Sequence, residues 1–488
     1  MQRIRDKLKN ADYIIVTLST VICALLSFVY SVYSKKYIDP YDYGIFSTCM
    51  LLENYLVYAQ FGVLSAFNRD YPQVIGAGDK EKAEKLRNTT ITYLWLIYGI
   101  IIAATILIIL GIFVPRGIDN RYAIGYIGIS IVLFAETTAN FCMYATRIRG
   151  GYNYSAVVEL VRSLISIALG LIFIRLWGFY GLFVRVLIAP LISVLMYRTR
   201  SLDGLKLSLD KPVLTYAVVT GLPLMVSSFI YTIMGSIDKF VILGFMDTRT
   251  LGIYSVPQMC FTAMVIIPQQ ISQIFYYKSS EIYGRTKSEK SLFNVCGHYS
   301  KLLSFCSAAS VVVAFYVLPI FVKFFMPKYS DGVNASEVLI IGVSIYGASM
   351  LYGNIYSILK WNKELIWTSV VLCIFNGIFS TGMVMINGRD IINVALGTSI
   401  SYALYGIIIF VVLGLKAKIN VVKPLLYSFL PQVLIILPAL IFYFAIPNIY
   451  AAFVLSFIII LIVLILIRKN VILKTNIDND LVKKDGES

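Results

Sequence analysis

The chain has 488 residues, of which 59% are hydrophobic and only 14% charged, with a mean hydropathy of +0.80 and a formal net charge of +16. A water-soluble chain carries about a quarter charged residues, so this composition excludes a soluble globular protein. The apolar residues gather in runs of about twenty, the length that crosses a hydrocarbon core, and no alternating barrel-strand pattern occurs; an all-α polytopic membrane protein is expected.

Taken in chain order, fourteen spans are expected: 11–33, 43–66, 91–114, 121–144, 154–174, 179–197, 213–236, 251–276, 299–322, 335–358, 365–386, 391–414, 424–446 and 448–467. The first apolar run is too long for a signal peptide and no small-x-small cleavage site follows it, so it reads as a retained helix. If alternate loops are assigned to alternate sides, 29 of the 42 Lys and Arg fall on the side of the N-terminus, nine on the other and four within spans. The positive-inside rule then places both termini in the cytoplasm. The net positive charge is thereby a topology signal spread over short loops and no nucleic-acid footprint.

A repeat runs through the chain at an offset of 208. Tyr43-Gly44-Ile45-Phe46-Ser47 returns as Leu251-Gly252-Ile253-Tyr254-Ser255, and Gly76, Glu81-Lys82 and Ile112-Phe113-Val114 return as Gly284, Glu289-Lys290 and Ile320-Phe321-Val322. The repeat maps helix 1 onto helix 7 and helix 2 onto helix 8. Both copies leave the same side, so two parallel six-helix lobes are expected, 1–200 and 201–415, with two additional helices at 416–470 and a cytoplasmic tail at 471–488. After helices 2 and 8, Ala77–Arg87 and Arg285–Phe293 read as short amphipathic helices along the inner surface, whose lysines would meet anionic lipid.

Several chemistries have no residues to carry them. No P-loop motif occurs, His298 is the lone histidine, and the seven cysteines show no C-x-x-C spacing, so neither a nucleotide-hydrolysing site, a metal centre nor a cofactor site is expected. Paired carboxylates near an external loop are missing, and the external loops are short, which leaves an enzyme reading little to rest on.

The informative groups are polar residues inside the spans, which are costly unless they face protein or water. Helix 2 carries Glu53 and Tyr58, with Arg69 at its inner end. Helix 7 is followed by Asp238-Lys239, and helix 8 carries Gln269, Gln270 and Gln273. Neutral donors and acceptors suit sugar hydroxyls, and Arg69 and Lys239 suit a phosphate or pyrophosphate. The other reading of the same groups is that they bond helices together. Glu159 and Arg162 stand three apart on one face and would neutralise each other, while Arg185 reads as a snorkelling residue. Pro223 in helix 7 and Pro257 and Pro268 in helix 8 interrupt their helices and are the hinge candidates.

With these residues in view, the chain resembles the polysaccharide transporters of the multidrug/oligosaccharidyl-lipid/polysaccharide (MOP) exporter superfamily, including the Wzx-type O-antigen flippases. The resemblance rests on Tyr43-Gly44-Ile45-Phe46-Ser47, on Gly221-Leu222-Pro223 followed by Ser236-Ile237-Asp238-Lys239-Phe240, and on Leu251-Gly252-Ile253-Tyr254-Ser255. It implies a MATE/MOP-like fold of about 14 transmembrane helices, with a cavity lined by helices 1, 2, 7 and 8. It implies further a flippase of the bacterial cytoplasmic (inner) membrane that moves an undecaprenyl-pyrophosphate-linked oligosaccharide, a repeat unit of O-antigen, capsule or exopolysaccharide. The partners implied are that polyprenyl-pyrophosphate lipid, membrane lipids, and the polysaccharide polymerase with its chain-length machinery. A lipid II flippase or a multidrug/cation antiporter of the same fold stays open, and, from another class, a membrane polymerase or ligase. The family's cavity is basic, yet helix 1 as delimited holds no basic residue.

Overall fold

In a hydrocarbon layer the backbone has no solvent to bond, so apolar runs of this length close their own hydrogen bonds as helices. The computed structural model describes residues 22–148, 151–418, 420 and 422–465, and every regular element among them is helical. In chain order these are α1 (22–37), α2 (Pro40–Leu56), α3 (Val63–Gly76), α4 (Lys80–Ile108), α5 (Asn120–Ile148), α6 (Tyr152–Trp177), α7 (Phe179–Tyr197) and α8 (Lys211–Met234). They continue as α9 (Ile237–Phe245), α10 (Thr248–Thr286), α11 (Glu289–Phe325), α12 (Val333–Ile358), α13 (Asn362–Asn387), α14 (Ile391–Ala417), α15 (Val422–Ala445) and α16 (Ile449–Ile465). Eleven helices, α4 to α8 and α10 to α15, are long and apolar enough to cross a membrane. The other expected spans correspond to α1, to the α2–α3 pair and to α16, which at about 1.5 Å per residue reaches about 25 Å. Residues 11–21 of the first expected span and the expected tail 471–488 lie outside the described residues.

The second expected span, 43–66, is not one helix. It breaks after Leu56 into a 3-10 turn over Val57–Gln60, and Phe61 and Gly62 take positive φ of 50° and 80° before α3 begins. Gly62 adopts that region without a Cβ penalty. The backbone groups released by the break find partners from side chains: the Gln60 carbonyl oxygen accepts from Leu64 N at 2.7 Å, and the Tyr98 hydroxyl donates to Val57 O at 2.8 Å. A break inside a membrane is tolerated on that condition. Pro223, Pro257 and Pro268, by contrast, do not interrupt: α8 and α10 run through them.

The two expected surface helices are also absent as separate elements. Ala77–Arg87 supplies the first turns of α4, capped by the Asp79 carboxylate accepting from Lys82 N, and its Ala83, Leu86 and Arg87 are buried. Arg285–Phe293 is instead a corner, with Lys287 at φ 50° between α10 and α11. Both segments bury an apolar edge against neighbouring protein, and that burial carries them into the long helices.

The described chain divides into two compact units. The first holds the residues up to Lys239 together with Asp247–Ile253; the second holds Phe240–Met246 and the residues from Tyr254 onward. In the first, Phe67 stacks on Tyr71 and Phe141 at 4.6 and 4.8 Å and joins α3 to α5, while α8 packs on α3 and α4. Gly62 and Gly221 bring α8 so close that a Cβ on either would lie 2.3 or 2.1 Å from the partner's backbone. In the second, the Asn376 side-chain oxygen accepts from Ser380 Oγ at 2.8 Å and Thr398 Oγ1 at 3.1 Å, tying α13 to α14, and Gln432 Nε2 donates to Ser344 O at 2.7 Å, tying α15 to α12. Small residues and buried side-chain bonds replace the hydrophobic drive that lipid does not supply.

Candidate substrate-binding site

The repeat glycines have a shared task in the first unit. A Cβ on Gly44 would sit 1.8 Å from Thr248 O, and one on Gly252 would sit 1.7 Å from Pro40 O. Pro40 and Thr248 are themselves 208 apart, so the contact is reciprocal: each helix start meets the equivalent turn of the other copy. Polar groups surround this seam. Arg121 Nη1 pairs with Asp42 at 2.5 Å and Nη2 with Asp119 at 2.7 Å, Arg249 pairs with Asp39 at 3.3 Å, and the Tyr122 and Thr248 hydroxyls bond at 2.8 Å. The hydrogen bonds from Arg121 hold the Asp119 carboxyl below the ordinary carboxylate range.

Of the residues expected to meet substrate, Glu53, Tyr58, Arg69, Asp238 and Lys239 lie in the first unit, whereas Gln269, Gln270 and Gln273 lie on α10 in the second. Gln269 and Gln273, four apart on one helix face, are exposed and Gln270 is half-buried. Tyr58 sits in the 3-10 turn; its hydroxyl bonds Thr232 Oγ1 at 2.6 Å and its ring meets Phe229 edge-on. Those are bonds between helices. Arg69 donates from Nε and Nη2 to both oxygens of its neighbour Asp70, at 2.5 and 2.8 Å, and from Nη1 to Thr220 O at 3.4 Å. Its charge is therefore balanced by a carboxylate that is itself buried. Of the hinge candidates, Pro223 is exposed, and Pro257 and Pro268 are buried, Pro268 against Gly347.

Glu53 is half-buried on α2, within electrostatic range of Glu136 on α5. Glu136 accepts from Arg162 at 3.3 Å, and Arg162 also pairs with Glu159 at 3.4 Å, the partner its spacing implied. Three carboxylates and one guanidinium thus form an acidic chain across α2, α5 and α6.

A second cluster was not foreseen. The helix α1 continues to residue 37, past the expected end at 33, and carries Lys35 inward, 1% exposed. Lys35 Nζ donates to Ser31 Oγ at 2.8 Å and to the Tyr43 hydroxyl at 3.2 Å, and lies 4.3 Å from the centre of the Tyr43 ring. Arg185, expected to snorkel, instead lays its guanidinium 3.9 Å over the Tyr30 ring. Lys239 and Arg185 are both within electrostatic range of Tyr43. The signal available in the sequence was the spacing of Ser31 and Lys35, one helix turn apart; what hid it was the assumed helix end.

This architecture is shared with solved structures. Lipid II flippase MurJ in an inward closed conformation matches with a TM-score of 0.71 at 16% identity, covering 95% of this chain and 99% of that one. An inward-facing multidrug resistance MATE family transporter of the MOP superfamily matches with a TM-score of 0.66 at 14% identity, over 81% of this chain and 94% of that one. The Vibrio cholerae MATE transporter VcmN in its bent form gives 0.56 at 14% identity, over 86% and 98%. No sequence match was found among curated proteins. Identities this low speak for the fold alone, and that fold is the multi-pass helical one of the MOP superfamily, as the sequence resemblance implied. A family model described as "Polysaccharide biosynthesis protein" matches residues 36–328, more than half of the chain, and the chain belongs to that family.

Proposed function

We propose that this protein is a flippase that carries a polyprenyl-pyrophosphate-linked oligosaccharide, a repeat unit of a surface polysaccharide, from the inner to the outer leaflet of a bacterial cytoplasmic membrane by alternating access. The observation that supports it most is the set of charged side chains held within the membrane-spanning part of the first unit, in a chain of the polysaccharide biosynthesis family. Intramembrane charges cost several kcal/mol each and persist where a polar cargo or ion passes. In this reading both termini are cytoplasmic and the lobes are 1–200 and 201–415, with 416–470 appended. Glu53 and the glutamines of α10 face the sugars, the cations Arg69 and Lys239 face the pyrophosphate, and Pro223, Pro257 and Pro268 bend as the lobes move. The polymerase and its chain-length machinery act downstream.

The test is reconstitution. Proteoliposomes holding a fluorescent lipid-linked oligosaccharide should expose it to an added quencher in a protein-dependent manner, and a deletion strain should trap the lipid-linked unit in the inner leaflet. Drug sensitivity of the deletion strain with normal surface polysaccharide would favour the second reading, a cation-coupled drug antiporter, which the acidic chain from Glu53 to Glu159 supports.

A further inference from the structure

A helix commonly closes on a residue in the left-handed region, and glycine takes that place because a Cβ is strained there. Among the described residues Gly78, Gly117, Gly178, Gly204 and Gly388 do so at turns between helices. Three turns of the second unit depart from this. At α10–α11, α12–α13 and α14–α15 the left-handed residue is Lys287, Lys360 or Lys418, with φ of 50°, 60° and 52°. Helices α10 to α15 are all long enough to cross the membrane, so these three turns share one end of the unit, the cytoplasmic end on the proposed topology. The backbone of the second turn is complete without any side chain: Lys360 N donates to Ser357 O at 3.2 Å and Trp361 N to Tyr356 O at 2.7 Å. Packing gives no reason for a lysine either, since all three are exposed. The field of a helix C-terminus would be met as well by a lysine one turn earlier, without the left-handed backbone.

Two of these turns make one basic corner. Lys416, in the last turn of α14, pairs with Glu364 in the first turn of α13 and lies 4.9 Å from the centre of the Trp361 ring, which clamps the two turns together. Glu364 is the sole carboxylate of residues 359–367 and 414–426, against five lysines. With Lys416 engaged by it, Lys360, Lys363, Lys418 and Lys423 stand exposed. Two of the chain's four tryptophans are here as well: Trp361, edge-on to the buried Tyr356 ring at 6.2 Å, and Trp367, 68% exposed. Tryptophan settles at the level of lipid headgroups.

We infer that Lys360, Lys363, Lys418 and Lys423, around Trp361 and Trp367, form a docking surface for the headgroups of anionic glycerophospholipid. Charge complementarity chooses the partner. Lysine ammoniums are mobile point charges, suited to phosphodiesters that present no fixed geometry, whereas a zwitterionic headgroup brings a cation of its own to the same place. The rings give the acyl region an apolar contact beneath the charges. A headgroup bound across the α12–α13 and α14–α15 turns adds to the clamp that Lys416 and Glu364 make. None of the candidates for cargo binding lies on α12 to α15, so the surface is separate from that site. It binds lipid whatever the chain carries, and only its assignment to the inner leaflet rests on the proposed topology.

The experiment uses the full chain carrying Trp95→Phe and Trp177→Phe, so that fluorescence reports only Trp361 and Trp367, in phosphatidylcholine vesicles doped with chain-brominated lipid. Brominated phosphatidylglycerol should quench beyond its share of the bilayer, and brominated phosphatidylcholine only in proportion to its share. Lys360→Gln, Lys363→Gln, Lys418→Gln and Lys423→Gln should each lower that preference about twofold to fivefold, and together abolish it, while the arginine replacements retain it. Lys328→Gln, in the turn at the other end of α11, should leave it unchanged. The unaltered chain in neutral detergent gives a second readout, a higher unfolding midpoint with added phosphatidylglycerol than with phosphatidylcholine. Lys360→Gly and Lys418→Gly should split the two properties: the midpoint in detergent alone is unchanged or higher, because glycine suits the left-handed backbone, and the response to phosphatidylglycerol is lost. Equal quenching by the two brominated lipids overturns the inference, as does a preference that survives loss of all four lysines. A lower midpoint of the glycine variants with their lipid preference intact assigns the lysines to packing and overturns it too. Displacement of phosphatidylglycerol by farnesyl diphosphate at far lower concentration assigns the corner to the cargo and overturns the choice of phospholipid. None of these readouts needs transport, so failure of the reconstituted flipping assay leaves the surface standing, and failure of the surface leaves the flippase reading untouched.

Discussion

The first unit handles intramembrane charge in two ways, and the contrast separates structure from work. In the chain Glu53–Glu136–Arg162–Glu159, the one cation is shared between two carboxylates at 3.3 and 3.4 Å, and each group keeps some contact with water or protein dipoles. In the cluster around Tyr30 and Tyr43, Lys35 is buried and, among the described residues, no carboxylate pairs with it. An arrangement of the first kind is held by its own components. One of the second kind is tolerated by the fold at a cost, which is the signature of a group retained for something outside the protein.

Removing Arg162 tests the first half of that contrast and carries the largest expected effect. Arg162→Leu strands two carboxylates and should lower stability by about 2 kcal/mol, below the fully buried case because the paired side chains stay 22–34% exposed. Thermal unfolding of the purified protein reads it, and adding Glu136→Gln to the variant should recover much of the loss. No recovery would mean that Arg162 acts through packing.

Lys35→Met tests the other half with the opposite sign. Loss of an unanswered buried charge should leave stability unchanged or raise it by about 1 kcal/mol, while flipping in proteoliposomes falls about tenfold. A stability loss comparable to that of Arg162→Leu would erase the distinction between the two clusters.

Smaller effects are expected at Lys239 and Arg69, the two cations the sequence singles out. Lys239→Ala should reduce flipping about fivefold at normal protein level, and Arg69→Ala only about twofold, since both oxygens of Asp70 already take the Nε–Nη2 edge of Arg69. Equal losses in the two would return Arg69 to the role its sequence position suggested.

The smallest effect concerns Asp119, half-buried and bound to Arg121. Its carboxyl titrates below the ordinary range in the folded chain, so its contribution to stability is present above the ordinary carboxylate pKa of about 4 and is lost as pH falls through the lower folded value. Unfolding midpoints between pH 6 and 3 should therefore decline less steeply in Asp119→Asn than in the wild type.

Which parts of this could be read beforehand follows from the range of the forces involved. Helix positions came from runs of apolar residues, because a lipid-facing backbone has one local solution. The Glu159–Arg162 pair was legible because residues three apart share a helix face. The neutralisation of Arg69 by Asp70 was not, since adjacent residues on a helix point apart and only the length of the arginine lets it fold back. The break at Val57–Gly62 looked like ordinary helix interior; that Gly62 takes a positive φ and lies against α8 at Gly221 depends on a helix far along the chain. The prolines are the opposite case: Pro223, Pro257 and Pro268 look like breaks in the sequence, yet α8 and α10 run through them.

The sequence by itself determined that this chain is helical and lies in a membrane, that segments of it recur at one offset, and that it belongs with the polysaccharide biosynthesis proteins. Each of those is written in residue type or in one fixed offset. Tertiary structure alone decided why Gly44 and Gly252 have no side chain, which cations are balanced and which stand unanswered. Those outcomes depend on distances between helices far apart in the chain, and in a membrane such distances are set by close backbone packing and by the cost of every charge left without a partner.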